Sequence, residues 1–284
     1  MFHNYLNTFL SVMGETCPMP ITPIITDGRL HRYYATGDKL GTLNLAIVFH
    51  PDKPISGWWL YFPTGATGTW SASGKRVPLT ADKKKQIESA RAERQAENDK
   101  AHQLAAEKAR YIWAKSTRIT EQSQHPYLTK KRVKPHGTGL YKGVLVIPLL
   151  DEAEEIVNLQ FISPNGGKRF LSGGKKKGCY YLLGGDSSKL LVAEGFATAC
   201  SLNEQTLFSV YVAFDCGNLK DVALLAAKHA SNAGLSTEII VCGDNDPIGV
   251  EKATQAALLC NGKVLIPPIP GFDWNDYAVQ GGAV

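Results

Sequence analysis

Carboxylates recur in the last third of the sequence at the places where short apolar runs end. Glu194-Gly195 follows Leu190–Ala193, and Asp215 follows Val210–Phe214. Asp244-Asn245-Asp246 comes one residue after Ile239–Cys242, and Asp273 and Asp276 come after Val264–Ile266. Singly, such an acid means little: loops are polar, and Asp is a common helix N-cap, a reading that suits Asp215 and Asp246. As a set they are harder to explain that way. Acids gathered at one edge of one sheet repel unless a cation lies between them. Asp244 and Asp246 flank one residue, so an extended turn lets both reach a shared ion, while Asn275 and Asp276 can add an oxygen or water contact. Ligands that are all oxygen select Mg2+ or Mn2+ over zinc.

The elements that must position these acids alternate. Apolar runs read as strands at 190–193, 210–214, 239–242 and 264–266, and helical stretches read at 196–202, 219–233 and 249–260. Strand–helix alternation with wholly apolar strands predicts a parallel sheet with helices on both faces, whose ligands bind at the carboxyl ends of the strands. Upstream, Val144–Leu150 and Ile156–Ile162 read as a hairpin around the acidic turn 151–155. A glycine-rich turn follows, then Lys168-Arg169-Phe170-Leu171 and the turn carrying Lys175, Lys176 and Lys177. Lys/Arg on glycine-rich turns, with Lys142 before the hairpin, suit a phosphate backbone, because glycine admits it and the cations neutralise it. Phe161, Phe170, Tyr180 and Tyr181 could stack on bases, although each aromatic alone reads as core.

Residues 80 to about 119 contain no Gly or Pro and predict one long helix with Thr80 as N-cap, solvated in its first half and packed through Leu104, Tyr111, Ile112 and Trp113. The cluster Lys130-Lys131-Arg132 with Lys134 lies beyond it. Runs at 30–34, 43–49 and 58–62, broken by Gly, Pro and Asp, predict a small antiparallel unit. The expected organisation is a β-rich N-terminal domain at 1–79, a basic helical connector at 80–135, a basic β-rich subdomain at 136–185 and an acidic α/β domain at 186–284; the fold class is α+β overall.

Charge divides along the same boundaries. Residues 186–284 hold 5 Lys/Arg and 11 Asp/Glu, and residues 1–185 hold 26 and 15, so the net charge of +5 joins a body of +11 to a domain of −6. Basic surface attracts nucleic acid, and clustered acids call for a hard cation. The 6 cysteines show no C-x-x-C spacing, so no zinc site is expected, and scattered thiols suit a reducing cytoplasm. No apolar run is long enough to span a membrane, and the first 19 residues do not resemble a signal peptide, so a cytoplasmic protein without membrane partners is expected. There is no Ser or Cys triad and no P-loop.

Leu190-Leu191-Val192-Ala193-Glu194-Gly195 and Val241-Cys242-Gly243-Asp244-Asn245-Asp246 resemble the Toprim pattern, which primases of the bacterial type share with topoisomerases and certain nucleases. Glu194–Ala199, Val212–Asn218 and Asp273–Asp276 are similar, more narrowly, to the Toprim primases of plasmids and phages. So are Asp27–Arg32, Gly37–Lys39, His125–Leu128 and Gln160–Phe170 upstream, so the resemblance spans most of the chain. Pro247 after the second Asp departs from the usual pattern, and no zinc-ribbon cysteines are present.

The resemblance implies a Toprim domain at 186–284 and a DNA primase that makes short RNA primers on single-stranded DNA from nucleoside triphosphates. A replicative helicase would then act in trans. It implies Glu194 as general acid/base or metal-linked carboxylate, Asp244 and Asp246 as catalytic metal ligands, and Asp276 completing the site. Lys142, Lys168, Arg169, Lys175, Lys176, Lys177, Asn218 and Asn275 would hold template or nucleotide. Two alternatives remain at this stage: a Toprim nuclease using the same ions to activate water, and a non-catalytic single-strand binding protein.

Overall fold

The computed structural model describes residues 2–74, 81–235 and 237–284, so Thr80 lies outside the described residues. The chain forms two compact units, 1–90 and 91–284.

The first unit is helix α1 (Phe2–Gly14) with an antiparallel meander of β1 (Leu30–Tyr33), β2 (Leu45–His50), β3 (Ser56–Tyr61) and β4 (Ala66–Ser71). Neither α1 nor β4 was anticipated from sequence. The helical spacing of Leu6, Phe9, Leu10 and Met13 is the signal for α1: these side chains enter one core with Phe49, Trp59 and Tyr61. Phe9 meets Phe49 and Trp59 edge-on, with ring centroids 5.3 and 5.7 Å away. Gly57 admits the ring, since a Cβ there would overlap Phe9.

Helix α2 (Ala81–Lys115) crosses the boundary between the units. In the second unit its last turns lie on an antiparallel sheet ordered β5 (Thr117–Arg118), β6 (Gly139–Tyr141), β7 (Val144–Leu150), β8 (Ile156–Ile162) and β9 (Lys168–Phe170). Alternation assigns the faces. Val146, Leu159 and Phe161 pack with Ala109 and Ile112 of α2. Leu145, Ile147, Leu149 and Ile162 pack with Leu191, Ala193 and Phe196 of the C-terminal domain. The short helix α3 (Pro126–Lys131) precedes β6.

The C-terminal domain runs β10 (Tyr181–Leu183), β11 (Asp186–Ala193), α4 (Phe196–Thr206), β12 (Phe208–Val212), α5 (Leu219–Asn232), β13 (Glu238–Cys242), α6 (Pro247–Leu259), β14 (Lys263–Leu265) and α7 (Trp274–Val279). Its sheet order is β10-β12-β11-β13-β14; the last four are parallel and β10 is an antiparallel edge. One face packs on α4 and the antiparallel sheet, the other on α5 and α6. Paired main-chain hydrogen bonds between Leu150 and Tyr180, 2.7 and 2.9 Å, tie the two sheets together. The strand expected at 210–214 instead spans 208–212. Leu207 ends α4 in the left-handed region (φ 61°), so Phe208 starts the strand at once, and Phe214 (φ 70°) turns the chain before Asp215.

Candidate active site

The chain leaves β11 for β12 on one side and returns to β13 on the other. The carboxyl ends of β11 and β13 therefore flank the switch point where such sheets bind ligands. Glu194 stands at the end of β11, and Asp244 two residues past β13. Close packing places the second acid. A Cβ on Gly243 would come within 2.7 Å of the Ala253 Cβ, and one on Gly249 within 2.6 Å of the Asp244 carbonyl oxygen, so the two glycines let the acidic loop lie against α6. Asp246 caps that helix, accepting from the Gly249 N–H at 2.7 Å, and Pro247 takes the favoured first helical position.

The same loop draws in the next acid. The Asn245 N–H donates to the Phe272 carbonyl at 2.9 Å, and its Nδ2 donates to the Pro267 carbonyl at 2.8 Å. That lacing brings the start of α7 beside Asp244. Asp273 caps α7 through the Asp276 N–H at 2.8 Å. Asp215 caps the turn before α5 through the Asn218 N–H at 3.1 Å. Capping is thus a real duty of Asp215, Asp246 and Asp273.

Electrostatics join these acids into one group. Burial first, then Asp244, Asp215 and Asp246, push the Glu194 carboxyl up to about 7. Burial, then Asp273 and Asp246, push Asp244 up to about 6. Lys168 opposes both shifts. Its own pKa is lowered, by the protein packed around its ammonium and then by Lys131, against the pull of Asp273, Glu194 and Asp244. Lys168, in register with Ile162, is the cation of β9 on the side of the carboxylates, and the residue is exposed to solvent. The Asp244 Oδ1 is buried without a hydrogen-bond partner. Among the described residues, no three His, Cys, Asp or Glu side chains converge tightly enough to enclose a metal by themselves.

The remaining expected site residues divide. Asp276 pairs with Lys131 through Oδ1 at 3.1 Å, and Asn275 is buried, donating to the Lys131 carbonyl (2.8 Å) and the Ser201 hydroxyl (2.9 Å). Asn275 thus stitches α7 to α3 and α4, and Lys131 arrives at the site by that stitch. Asn218 is buried and fully engaged: its Nδ2 donates to the Cys179 and Ala213 carbonyls at 2.9 and 2.8 Å, and its Oδ1 accepts from the Gly178 N–H at 2.7 Å. Both of its amide protons are spent in holding the lysine turn onto the sheet. Lys176 and Lys177 line a hollow of about 280 Å3 with Asp215 and Lys220, and Lys175 is exposed beside them. Lys142 and Arg169 line a different groove, on the α2 side of the antiparallel sheet. The basic set is therefore not one surface. Sequence reasoning counted Asp273 among the acids at the sheet edge without giving it a role, and did not assign Lys131 or Tyr127 to the site. Tyr127, deeply buried with an unpartnered hydroxyl, has its ring 5.9 Å from the Lys168 ammonium.

Residues 189–284 match the Toprim domain family, so the C-terminal third is a Toprim domain. The chain is similar to DNA primases over most of its length: it is 31% identical over 262 residues to a DNA primase TraC of Escherichia coli, covering 86% of this chain and 18% of that protein. A second DNA primase TraC of Escherichia coli is 30% identical over 267 residues, covering 86% of this chain and 24% of that one. The chain thus spans under a quarter of the length of these relatives. Among solved structures, the primase fragment of the bacteriophage T7 primase-helicase protein aligns with 58% of this chain and 75% of its own, at 18% identity and a TM-score of 0.43.

Proposed function

We propose that the chain is a DNA primase that joins nucleoside triphosphates into short primers on single-stranded DNA by metal-dependent nucleotidyl transfer. The observation that carries this reading is the placing of Lys168. Lys168, on the edge strand of a basic antiparallel sheet, pairs in register with Ile162 on the face that packs against the C-terminal domain, where the charges of Asp273, Glu194 and Asp244 act on its ammonium. A hydrolytic site needs the acids, whereas a polymerising one also needs a neighbouring surface that handles triphosphate and template. Similarity to DNA primases over 86% of the chain supports the same reading.

The residues fit a hard divalent cation. The donors are all oxygen, Asp244 Oδ1 is buried without a partner, and the mutual repulsion of Glu194 and Asp244 is what a cation would relieve. The lack of a closed cage suits Mg2+ or Mn2+, which commonly take one or two carboxylates and complete the shell with water and phosphate oxygens. Bound there, the ion would offset charge on the triphosphate and the attacking oxygen.

Asp244, Asp246 and Asp276 would hold the ion, with Glu194 linked to it or receiving the proton. Lys168, with Lys131 behind it, would bind triphosphate oxygens. In the transfer a 3′-oxygen bonds the α-phosphorus, the bond from that phosphorus to the bridging oxygen breaks, and pyrophosphate leaves. The hydroxyl proton goes to the Glu194 carboxylate, whose raised pKa suits a base near neutrality. Lys175, Lys176 and Lys177 would steady the nucleic acid beside Asp215. A replicative helicase is the partner expected in trans. Among the described residues no helix is long and apolar enough to cross a membrane.

The test is incubation with single-stranded DNA, labelled ribonucleoside triphosphates and Mg2+ or Mn2+, without added primer. Short labelled oligomers are expected. Cleavage of the template without synthesis would overturn the proposal in favour of a nuclease, and inertness in both assays with retained binding would leave a non-catalytic binder.

A further inference from the structure

The last residue of α3 stands among the acids. Lys131 ends that helix, and its ammonium donates to Asp276 Oδ1 at 3.1 Å. The main chain fixes it there. Asn275 Nδ2 donates to the Lys131 carbonyl at 2.8 Å, and the Arg132 guanidinium donates to the Val279 carbonyl at 3.2 Å, so the end of α3 is laced to both ends of α7. Asn275 is buried and bonds Ser201 of α4 as well, which makes the lacing part of the core. Asp276 is held from its own side, since its N–H donates to Asp273 Oδ1 in the cap of α7. The pair thus joins two fixed helix ends, yet the two side chains are 26% and 47% exposed, within reach of solvent and ions. Both partners act on the rest of the centre. The Asp276 charge helps to raise the Asp244 carboxyl, and the Lys131 charge helps to lower the Lys168 ammonium. One acid of the sheet edge is therefore already neutralised by a cation of the chain itself.

We propose that Lys131 is a stand-in counter-ion: it holds Asp276 while the centre lacks a divalent cation, and yields it when the ion binds. This rests on the reading of the acids as a cation centre. An ion pair between partly exposed groups is weak and breaks readily. Its presence still matters in the ion-free chain, where Asp276 would otherwise face Asp244 unopposed. Exchange gives the ammonium a second use. Once released, it is free to bond a phosphate oxygen of the nucleotide, so cation and triphosphate favour one another's binding through Lys131.

The test is Mn2+ binding to the full chain without nucleotide or template, followed by the electron paramagnetic resonance of the free ion. Lys131→Met keeps an unbranched stem and removes the charge; it is expected to bind Mn2+ roughly three- to fivefold more tightly, the worth of such an ion pair. Lys131→Arg, which can keep the pair, should bind like wild type. Asp276→Asn is expected to weaken binding and to cancel the gain, so that Lys131→Met adds less than about twofold in that background. Saturating Mn2+ should also speed acetylation of Lys131 in the wild-type chain, read by mass spectrometry against the exposed Lys100, because loss of a carboxylate partner leaves more of the amine neutral. Mn2+ affinity unchanged or lowered in Lys131→Met, or acetylation that Mn2+ does not speed, would overturn the proposal. So would a gain that persists undiminished with Asp276→Asn, the mark of a distant charge effect. If Asp244→Asn weakens Mn2+ binding alongside any of these results, the cation centre stands and only the exchange fails. No Mn2+ bound by any variant, wild type included, would sink both.

Discussion

Asp244→Asn is expected to lower primer synthesis at least ~1000-fold while leaving the fold and single-strand binding intact. The substitution keeps the shape of the side chain, removes its negative charge and turns one of its two oxygens, of which Oδ1 is buried without a partner, into an amide nitrogen. A divalent ion contributes several kcal/mol of charge stabilisation in phosphoryl chemistry, and each 1.36 kcal/mol is about tenfold in rate, which sets the size of the loss. The measurement is initial rate of labelled nucleotide incorporation at saturating template, with anisotropy and circular dichroism as controls. Asp246→Asn should cost less, because one Asp246 oxygen already serves the N-cap of α6, a bond that the Asn side-chain oxygen can also accept.

Glu194→Gln is expected to raise the stability of the metal-free protein. Its folded pKa of about 7 lies above the ordinary 4.5, as does the about 6 of Asp244 above 3.8. For a group raised in this direction, the stability it contributes is full below the unfolded value and is lost as pH rises through the folded one. Metal-free protein therefore loses stability from these two groups between about pH 4 and about pH 7.5. Removing the Glu194 charge should recover on the order of 2 kcal/mol at about pH 7.5, or several degrees in Tm, while abolishing synthesis. At about pH 4.5 the gap between variant and wild type should largely close. Saturating Mn2+ at about pH 7.5 should raise the Tm of wild type and do little for the variant. Thermal melts across pH, with and without the ion, check all of this.

How much of this was legible depended on range. Val144–Leu150 and Ile156–Ile162 have the bounds that their apolar runs predict, and the parallel order of the C-terminal sheet follows from its strand–helix alternation. Glu194 and Asp244 could be picked out because strand ends in such sheets share an edge. The strand period of two also foretells that Lys168 and Arg169 face apart, but not which of them faces the acids. Contacts distant in sequence left no local signature. Asn218 has the residue type of a ligand, and its bonds to Gly178 and Cys179, 40 and 39 residues away, reveal that its amide also holds the lysine turn. Lys131 enters the site through an ion pair spanning 145 residues. Helix α1 was missed because its segment was weighed only by charge and apolar length, whereas the helical spacing of Leu6, Phe9, Leu10 and Met13 carried the signal.

The claim on which the rest depends is that Glu194 and Asp244 form one cation-holding centre. Titration of Mn2+ into the metal-free protein, followed by the electron paramagnetic resonance of the free ion, tests it directly. Binding that Mg2+ competes away is expected, roughly tenfold or more tighter at about pH 7.5 than at about pH 5.5, and weakened at least about tenfold by Asp244→Asn. Binding unchanged by Asp244→Asn, or indifferent to pH across that range, would contradict the account.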